Sequence, residues 1–248
     1  MFSEKLAAWR EYTETPWARI RYGVVGEVLR RQTDRLGDRI RVLDVGGGDG
    51  MDALPLAMAG HVVTIVDPSQ AWLGEAKRRA DEAGAEIATI AGDLDDLPVG
   101  EWDLVMCHFV LRYRSADADD VAALASRVRA GGRLSVMDVN PAGRVLRELL
   151  NGGPAAARAE LRAERAAVET FQLDARKVDV DAVLTEASAA RLTAVGLYGN
   201  RIANDLLVDN TAKHDPLFFE ELLALELELC DREPFNRVGF AWQLVLER

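Results

Sequence analysis

A glycine-rich segment is the part of the sequence whose residue types point most directly to ligand binding. Residues 44–50 read Asp-Val-Gly-Gly-Gly-Asp-Gly and directly follow an apolar run. Glycines after a strand let the backbone turn sharply and approach a ligand at the start of a helix. Asp49 would repel a pyrophosphate, the group that a dinucleotide fold holds at such a turn. The segment predicts a phosphate-free ligand close to Gly46, Gly47 and Gly48, or else a purely structural turn.

Two further carboxylates follow the next two predicted strands. Asp67 ends the apolar run 61–67, and Asp93 follows the run 86–90, next to Leu94. At the carboxyl edge of a parallel sheet, Asp67 can accept both ribose hydroxyls of an adenosine and Asp93 can accept from the adenine amino group. Each alone also fits a helix cap or an acidic turn. Together with the acid-x-Gly-x-Gly-x-Gly loop, they predict S-adenosylmethionine as cofactor and hence methyl transfer.

Short apolar runs alternate with helical segments over the first 140 residues, which predicts a doubly wound parallel sheet. The predicted strands are 41–45, 61–67, 86–90, 102–108 and 133–137. The predicted helices between them are 51–59, 69–83 and 117–130, the last capped by Gly131 and Gly132. Later elements are a helix at 179–190, a strand at 191–199, a helix at 215–229 and a strand at 238–247. The expected fold class is α/β, a class I methyltransferase (Rossmann-like) with a mostly parallel seven-stranded sheet.

The chain length suits a single hydrophobic core, since 248 residues lie near the upper size for one. We expect one methyltransferase domain over residues 1–248, with an N-terminal helical segment at 1–38 and a helical cap inserted at about 141–178. The polar N-terminus predicts no signal peptide, and no apolar run approaches the ~20 residues of a membrane helix. We therefore expect a cytoplasmic protein with no membrane partner. Metal-type Cys/His spacing is absent, which predicts no metal.

Several segments beyond the glycine loop carry a closer resemblance. They include His108 after the fourth strand, the stretch Asn140-Pro-Ala-Gly143 and the tail Cys230-Asp-Arg-Glu-Pro-Phe235. In these the chain resembles the bacterial tRNA 5-carboxymethoxyuridine methyltransferases from about Arg21 onward. The resemblance implies methyl esterification of a carboxylate on a modified wobble uridine of tRNA. It places cofactor contacts on Arg21, Gly46, Gly47, Asp67, Asp93, Leu94 and His108.

Two of these contacts have a structural alternative. Arg21 could clamp the methionine carboxylate bidentately or lie on a helix surface. His108 could face the transferred methyl group or be a structural strand-end residue. The chain also departs from the family, because Arg112 and Tyr113 replace an acidic residue and a tryptophan, and the cap lacks a lysine-rich stretch. The substrate is therefore the least constrained part of the resemblance.

The acceptor remains open between tRNA and a small molecule of metabolism or natural-product biosynthesis. A carboxylate acceptor needs no general base, whereas a hydroxyl or amine would use His108 as one. The predicted substrate contacts are His108, Asn140 and Arg201. Arg158, Arg162 and Arg165 would share a helical face that either binds RNA or is simply solvated. The net charge of −11, from 30 basic and 41 acidic residues, favours a small molecule over a polyanion.

Overall fold

The computed structural model describes residues 6–168 and 173–248. The strands are β1 Arg41–Val45, β2 Val62–Asp67, β3 Ile87–Ala91, β4 Trp102–His108, β5 Val128–Val139, β6 Arg165–Val168, β7 Leu173–Arg176, β8 Thr193–Asn200 and β9 Ala241–Glu247. The helices are α1 Leu6–Thr13, α2 Pro16–Leu36, α3 Leu54–Met58, α4 Gln70–Ala83, α5 Asp120–Ala125, α6 Pro141–Arg162, α7 Val180–Ala189 and α8 Pro216–Leu229.

One seven-stranded sheet, in the order β3-β2-β1-β4-β5-β9-β8, organises the fold. The first five strands pair in parallel, and β9 runs antiparallel between β5 and β8. This confirms the predicted mostly parallel, seven-stranded sheet. Since the strand order reverses beside β1, the carboxyl ends of β1 and β4 flank the switch point where such sheets bind ligands.

The sheet is covered on both faces, which explains why its strands are nearly continuous apolar runs. Along β4, Leu104 and Met106 join one apolar cluster, and Val105 and Cys107 join the other. The first cluster packs against α2, α3 and α4, and the second against α5 and α7. This alternation fixes which face of the sheet each side chain of β4 packs against.

The N-terminal segment is helical, as predicted, from residue 6 onward; residues 1–5 lie outside the described part. Two helices form because Thr15 caps the second one: its Oγ1 accepts from Ala18 N at 3.3 Å, and Pro16 occupies the first helical position. A similar start opens α8, where Asp215 caps the helix and Pro216 follows. Local sequence therefore sets these helix starts.

The helix predicted at 117–130 is wrong in its second half. The helix ends at Ala125, and β5 begins at Val128 and runs through both glycines that were expected to cap the helix. The β4–β5 register shifts between Trp102 and Leu104, and Gly131 has φ 71°. These glycines therefore permit an irregularity inside a strand, which apolar periodicity alone cannot distinguish from a helix end.

The cap predicted as helical over about 141–178 is only partly so. It contains α6 followed by a hairpin of β6 and β7, with residues 169–172 outside the described part. Within α6, Gly153 leaves the helical conformation (φ 74°, ψ −172°). Arg144 Nε lies 2.9 Å from Glu160 Oε1, whereas 16 residues of straight helix would separate them by about 24 Å. The helix therefore folds back on itself at Gly153.

The hairpin also changes the predicted arginine face of the cap. Arg158 and Arg162 are exposed on α6. Arg165 instead begins β6, and its Nη2 donates to Asp174 O at 2.8 Å. The three arginines therefore do not share one helical face, because the helix ends at Arg162.

A pair of glycine substitutions should test how closely α6 approaches the segment that precedes β9. A Cβ at Gly143 would overlap the carbonyl oxygen of Gly239, whereas a Cβ at Gly26 in α2 would meet nothing within 4 Å. We expect Gly143→Ala to lower the free energy of unfolding by about 1–3 kcal/mol, and Gly26→Ala to raise it by about 0.5–1 kcal/mol. Denaturant titration measures both, and an unchanged stability of Gly143→Ala would contradict this packing.

Candidate active site

A cavity of about 740 Å³ opens at the carboxyl edge of the sheet. Its acidic half is built from the ends of β1, β2 and β3 together with α1 and α2; its basic half is built from the segment after β4, α6, β7 and the turn after β8. The predicted site residues that line it are Arg21, Gly46, Gly47, Gly48, Asp67, Asp93, Leu94, His108 and Arg201. The fold therefore brings these distant sequence segments to one place.

The backbone amides of the glycine loop are already used by the protein. Gly46 N and Gly47 N donate to Val66 O at 2.7 and 3.3 Å, and Gly48 N donates to Asp67 Oδ2 at 3.0 Å. A pyrophosphate needs such amides to be free. This arrangement therefore favours a ligand without phosphate. Gly47 must be glycine, because a Cβ there would overlap the carboxylate of Asp44.

Asp67 has the hydrogen-bonding capacity of a ribose acceptor. Its Oδ2 accepts from Gly48 N and its Oδ1 from Ser69 N at 2.8 Å, so each oxygen keeps lone pairs for a further donor. Burial raises the pKa of its carboxyl, opposed by these two amides. Asp67 thus also braces the start of α4, and the structural and ligand-binding interpretations are compatible.

Asp93 and Leu94 occupy the turn after β3. Asp93 Oδ1 accepts from Asp95 N at 2.8 Å and opens a short 3-10 turn. Leu94 is buried at the start of that turn. The same residues that form an ordinary acidic turn therefore also form one wall of the cavity.

A wall of aromatic side chains from α1, α2 and α4 was not predicted from the sequence. Trp9 lies edge-on to Trp72, with ring centroids 5.8 Å apart, and its Nε1 donates to Asp49 Oδ2 at 3.0 Å. The aromatic residues of this wall are Trp9, Tyr12, Trp17, Tyr22 and Trp72. Their irregular spacing along the chain gives no motif, so only the tertiary structure identifies them.

Asp52 is the central residue that sequence reasoning missed. Its two oxygens accept from Arg21 Nη1 and Nη2 at 2.5 and 2.6 Å, and His108 Nδ1 lies 2.8 Å from Oδ2. His108 Nε2 is in turn 2.9 Å from Ser135 Oγ, which also accepts from Gln243 Nε2 at 2.9 Å. Burial alone would raise the pKa of Asp52, but Arg21 and His108 lower it to about 2.

This network constrains what His108 can do. Both ring nitrogens already have partners, so the side chain is not poised to take a proton from an acceptor. The order Asp52–His108–Ser135 resembles that of a serine hydrolase, but Ser135 is fully buried and is not among the residues lining the cavity. The arrangement therefore holds Asp52 and Arg21 in place and does not form a nucleophile.

Asp44 is a buried carboxylate with an incomplete set of hydrogen bonds among the described residues. It is 2 % exposed and lines the cavity, and its Oδ2 has no hydrogen-bond partner among the described residues. Burial, reinforced by the charges of Asp52 and Asp67, raises the pKa of Asp44 well above its ordinary value. A cationic ligand would lower the free energy of the buried, ionised carboxylate. The carboxylates of the acidic half therefore fit a cofactor that carries positive charge.

The basic half has the opposite charge. The Arg and Lys side chains that line it, within the described residues, are Arg112, Arg114, Arg144, Arg147, Arg176, Lys177 and Arg201. Many are tied to the protein: Arg112 to Asp138, and both Arg144 and Lys177 to Glu160. Asp138 also lines the cavity and balances the charge of Arg112, so the excess positive charge that favours an anionic group comes from the other side chains of this half.

Asn140 corrects the sequence prediction. It was expected to contact substrate, but it is not among the residues that line the cavity. Its Oδ1 accepts from Ala142 N at 3.0 Å, which caps α6, and its Nδ2 donates to Arg237 O at 2.8 Å. Since its amide donates one hydrogen bond and accepts another in fixing the helix start, the Asn140-Pro-Ala-Gly143 stretch has a structural explanation.

The described residues show neither a metal-type side-chain cluster nor a membrane-spanning helix. No group of three or more His, Cys, Asp or Glu side chains suited to a metal ion occurs within 6–168 and 173–248. Over the same ranges, none of the helices combines the length and apolar character needed to cross a membrane.

Comparison with known proteins decides the class of chemistry. A family model described as a methyltransferase domain matches residues 42–132, which span the glycine loop to the start of β5. The tRNA 5-carboxymethoxyuridine methyltransferase of Escherichia coli O157:H7 is 28% identical over 231 residues, 91% of this chain and 87% of that protein. The chain is an S-adenosylmethionine-dependent methyltransferase with the class I fold.

Two further relatives show how far the similarity extends. A ubiquinone biosynthesis O-methyltransferase of Aromatoleum aromaticum is 34% identical to this methyltransferase over 103 residues, 40% of the chain and 44% of that protein. The crystal structure of magnesium protoporphyrin IX methyltransferase from Synechocystis PCC 6803 superposes with a TM-score of 0.65 at 18% identity, covering 97% of this chain and 92% of that one. The latter supports the fold.

Asp44 should cost the methyltransferase stability when no cofactor is bound. The pKa of Asp44 is higher in the folded state than in the unfolded state, where it is near ~4. Its ionisation therefore opposes folding more and more as the pH rises from the unfolded-state pKa to the folded-state pKa. We expect Asp44→Asn to raise the melting temperature at neutral pH by ~2 °C or more, with the gain vanishing near pH ~4. The exposed Asp81 supplies the control substitution Asp81→Asn. A pH-independent difference would contradict the assignment of charge to Asp44.

Proposed function

We propose that the acidic half of the cavity holds S-adenosylmethionine. Asp67 accepts the ribose hydroxyls, and Asp93 with Leu94 contacts the adenine. The ion pair of Arg21 and Asp52 complements the zwitterionic amino-acid end, with Arg21 meeting the carboxylate and Asp52 the ammonium. The buried carboxylate of Asp44 balances the remaining positive charge. When bound, the cofactor supplies a methyl group activated by a sulfonium.

We further propose that the acceptor is a carboxylate, bound in the basic half. The observation that carries this proposal is the engagement of both His108 nitrogens, which leaves no free base for a hydroxyl or amine. A carboxylate is already ionised at neutral pH and needs none. Arg201, which lies over the ring of Phe240 at 4.2 Å, and the cap arginines orient the acceptor and exclude water.

The carrier of that carboxylate is, in our proposal, a modified uridine of tRNA. The similarity to tRNA 5-carboxymethoxyuridine methyltransferase over nearly the whole chain supports this carrier, as do the exposed Arg158 and Arg162 on the cap. The second candidate is a small metabolite. It is favoured by the net charge of −11 and by the pairing of Arg10 and Arg31 with acidic side chains.

One labelling experiment separates the acceptor classes. The enzyme is incubated with methyl-labelled cofactor and, in separate reactions, total RNA or a metabolite extract. Label in RNA supports tRNA, and label in the extract alone supports the small molecule. Mild alkali then hydrolyses a methyl ester to volatile methanol but leaves methyl ethers and methylamines intact. Label that resists alkali would overturn the carboxylate proposal whichever fraction carries it.

The pH profile tests the role of His108. We expect kcat/KM of the wild type to show no ionisation step between about pH 6 and 8, because no base is needed. His108→Gln should lower kcat/KM by weakening the support of Asp52, while the profile stays flat. A step in the wild-type profile that the substitution removes would show that His108 acts as a general base.

Calorimetry with S-adenosylhomocysteine tests the ribose assignment. Asp67→Ala should weaken binding by about 1–3 kcal/mol, because the hydroxyls of the bound ribose lose their acceptor. Asp81→Ala, an exposed aspartate on α4 outside the cavity lining, is the matched control. Equal affinities of the two variants would show that Asp67 does not hold the ribose.

A further inference from the structure

A side chamber of about 190 Å³ adjoins the basic half of the active-site cavity. Trp17, Arg147 and Arg201 line both spaces and so form the boundary between them. The far wall comes from the segment after β8, including Asp205 and Lys213. The chamber is therefore adjacent to the place where we propose that the acceptor binds, yet none of the cofactor contacts proposed above lines it.

Lys213 is a buried cation with neutral partners. It is 3 % exposed, and its Nζ donates to Asn204 O and Asn210 Oδ1, both at 2.8 Å. Of three ammonium hydrogens, one remains for a further acceptor. Lys213 forms no ion pair within the described ranges. Burial lowers its pKa, and the charge of Arg201 acts in the same direction, whereas the charges of Asp205, Asp209 and Glu226 oppose the shift. An anion in the chamber would stabilise the charged ammonium.

The two arginines at the boundary differ in their charge balance. Arg201 is neutralised by Asp205, whose Oδ1 and Oδ2 accept from its Nε and Nη2 at 2.7 and 2.9 Å. Arg147 lies over the Phe240 ring at 5.7 Å and has neither a hydrogen bond nor an ion pair in the part of the chain that the structure describes. Lys213 and Arg147 are therefore the two cations of the chamber that have no ion-pair partner within the described residues.

We propose that the side chamber binds a second anionic group of the acceptor, a phosphate or a carboxylate, through Lys213 and Arg147. This inference rests on the proposed function, since the chamber extends the acceptor site. The acceptor then carries at least two anionic groups: one is methylated in the main cavity, and the other is held in the chamber and fixes the orientation of the molecule. Acceptors with a single carboxylate are poor substrates for the same reason.

Binding of small anions to the S-adenosylhomocysteine-loaded enzyme tests the proposal. Inorganic phosphate and malonate are titrated separately by calorimetry into the wild type, Arg147→Ala and Lys213→Gln. We expect saturable binding that each substitution weakens by about tenfold or more, as for the loss of a charge-assisted hydrogen bond. The controls are Arg35→Ala and Lys77→Gln, which alter exposed cations that line neither cavity. Tighter binding of phosphate identifies a phosphate, and tighter binding of malonate a carboxylate.

The outcomes separate this inference from the proposed function. The side-chamber proposal is wrong, and the cofactor assignment stands, if S-adenosylhomocysteine binds but neither anion does. The same conclusion follows if all variants bind the anions equally. If S-adenosylhomocysteine itself fails to bind, the proposed function is wrong. Should Lys213→Gln fail to fold, Arg147→Ala decides alone, and Arg147→Lys should recover part of the anion affinity.

Discussion

Convergence of negative charge at the carboxyl edge of the sheet is the constraint on which the site depends. Asp44, Asp52 and Asp67 are all buried or nearly so, and of these three Asp52 alone has a guanidinium partner within the described residues, from Arg21. The network through His108 and Ser135 keeps that pair in position from the opposite side. A ligand with matching positive charge completes the balance, so affinity for the cofactor is obtained at the expense of stability in its absence.

Much of the fold was predictable because its signals are local. Apolar runs gave the strands that build the sheet, and Thr15 and Asp215 mark helix starts by side-chain chemistry. Signals failed where tertiary pairing overrides them. Gly131 lies inside a strand instead of ending a helix, and the hairpin after Arg162 has no periodicity that separates it from a helix.

The site shows the same division between what residue types reveal and what only tertiary structure reveals. The glycine loop, Asp67 and Asp93 have recognisable types at strand ends, so their meeting follows from parallel topology. Asp52 could not be found this way, since its partners Arg21 and His108 are 31 and 56 residues distant and nothing local marks the contact. The resemblance placed His108 in the cavity, but its hydrogen bonds determine its role.

The inserted cap has its own attachment to the rest of the molecule. Glu160 ties Arg144 of α6 to Lys177 beside the hairpin, and Arg176 Nε donates to Leu111 O and Arg114 O on the segment after β4. None of these contacts involves the glycine loop or its carboxylates. The two halves of the cavity can consequently diverge separately: substitutions within the insertion can retarget the enzyme to a new substrate while its donor chemistry is inherited intact.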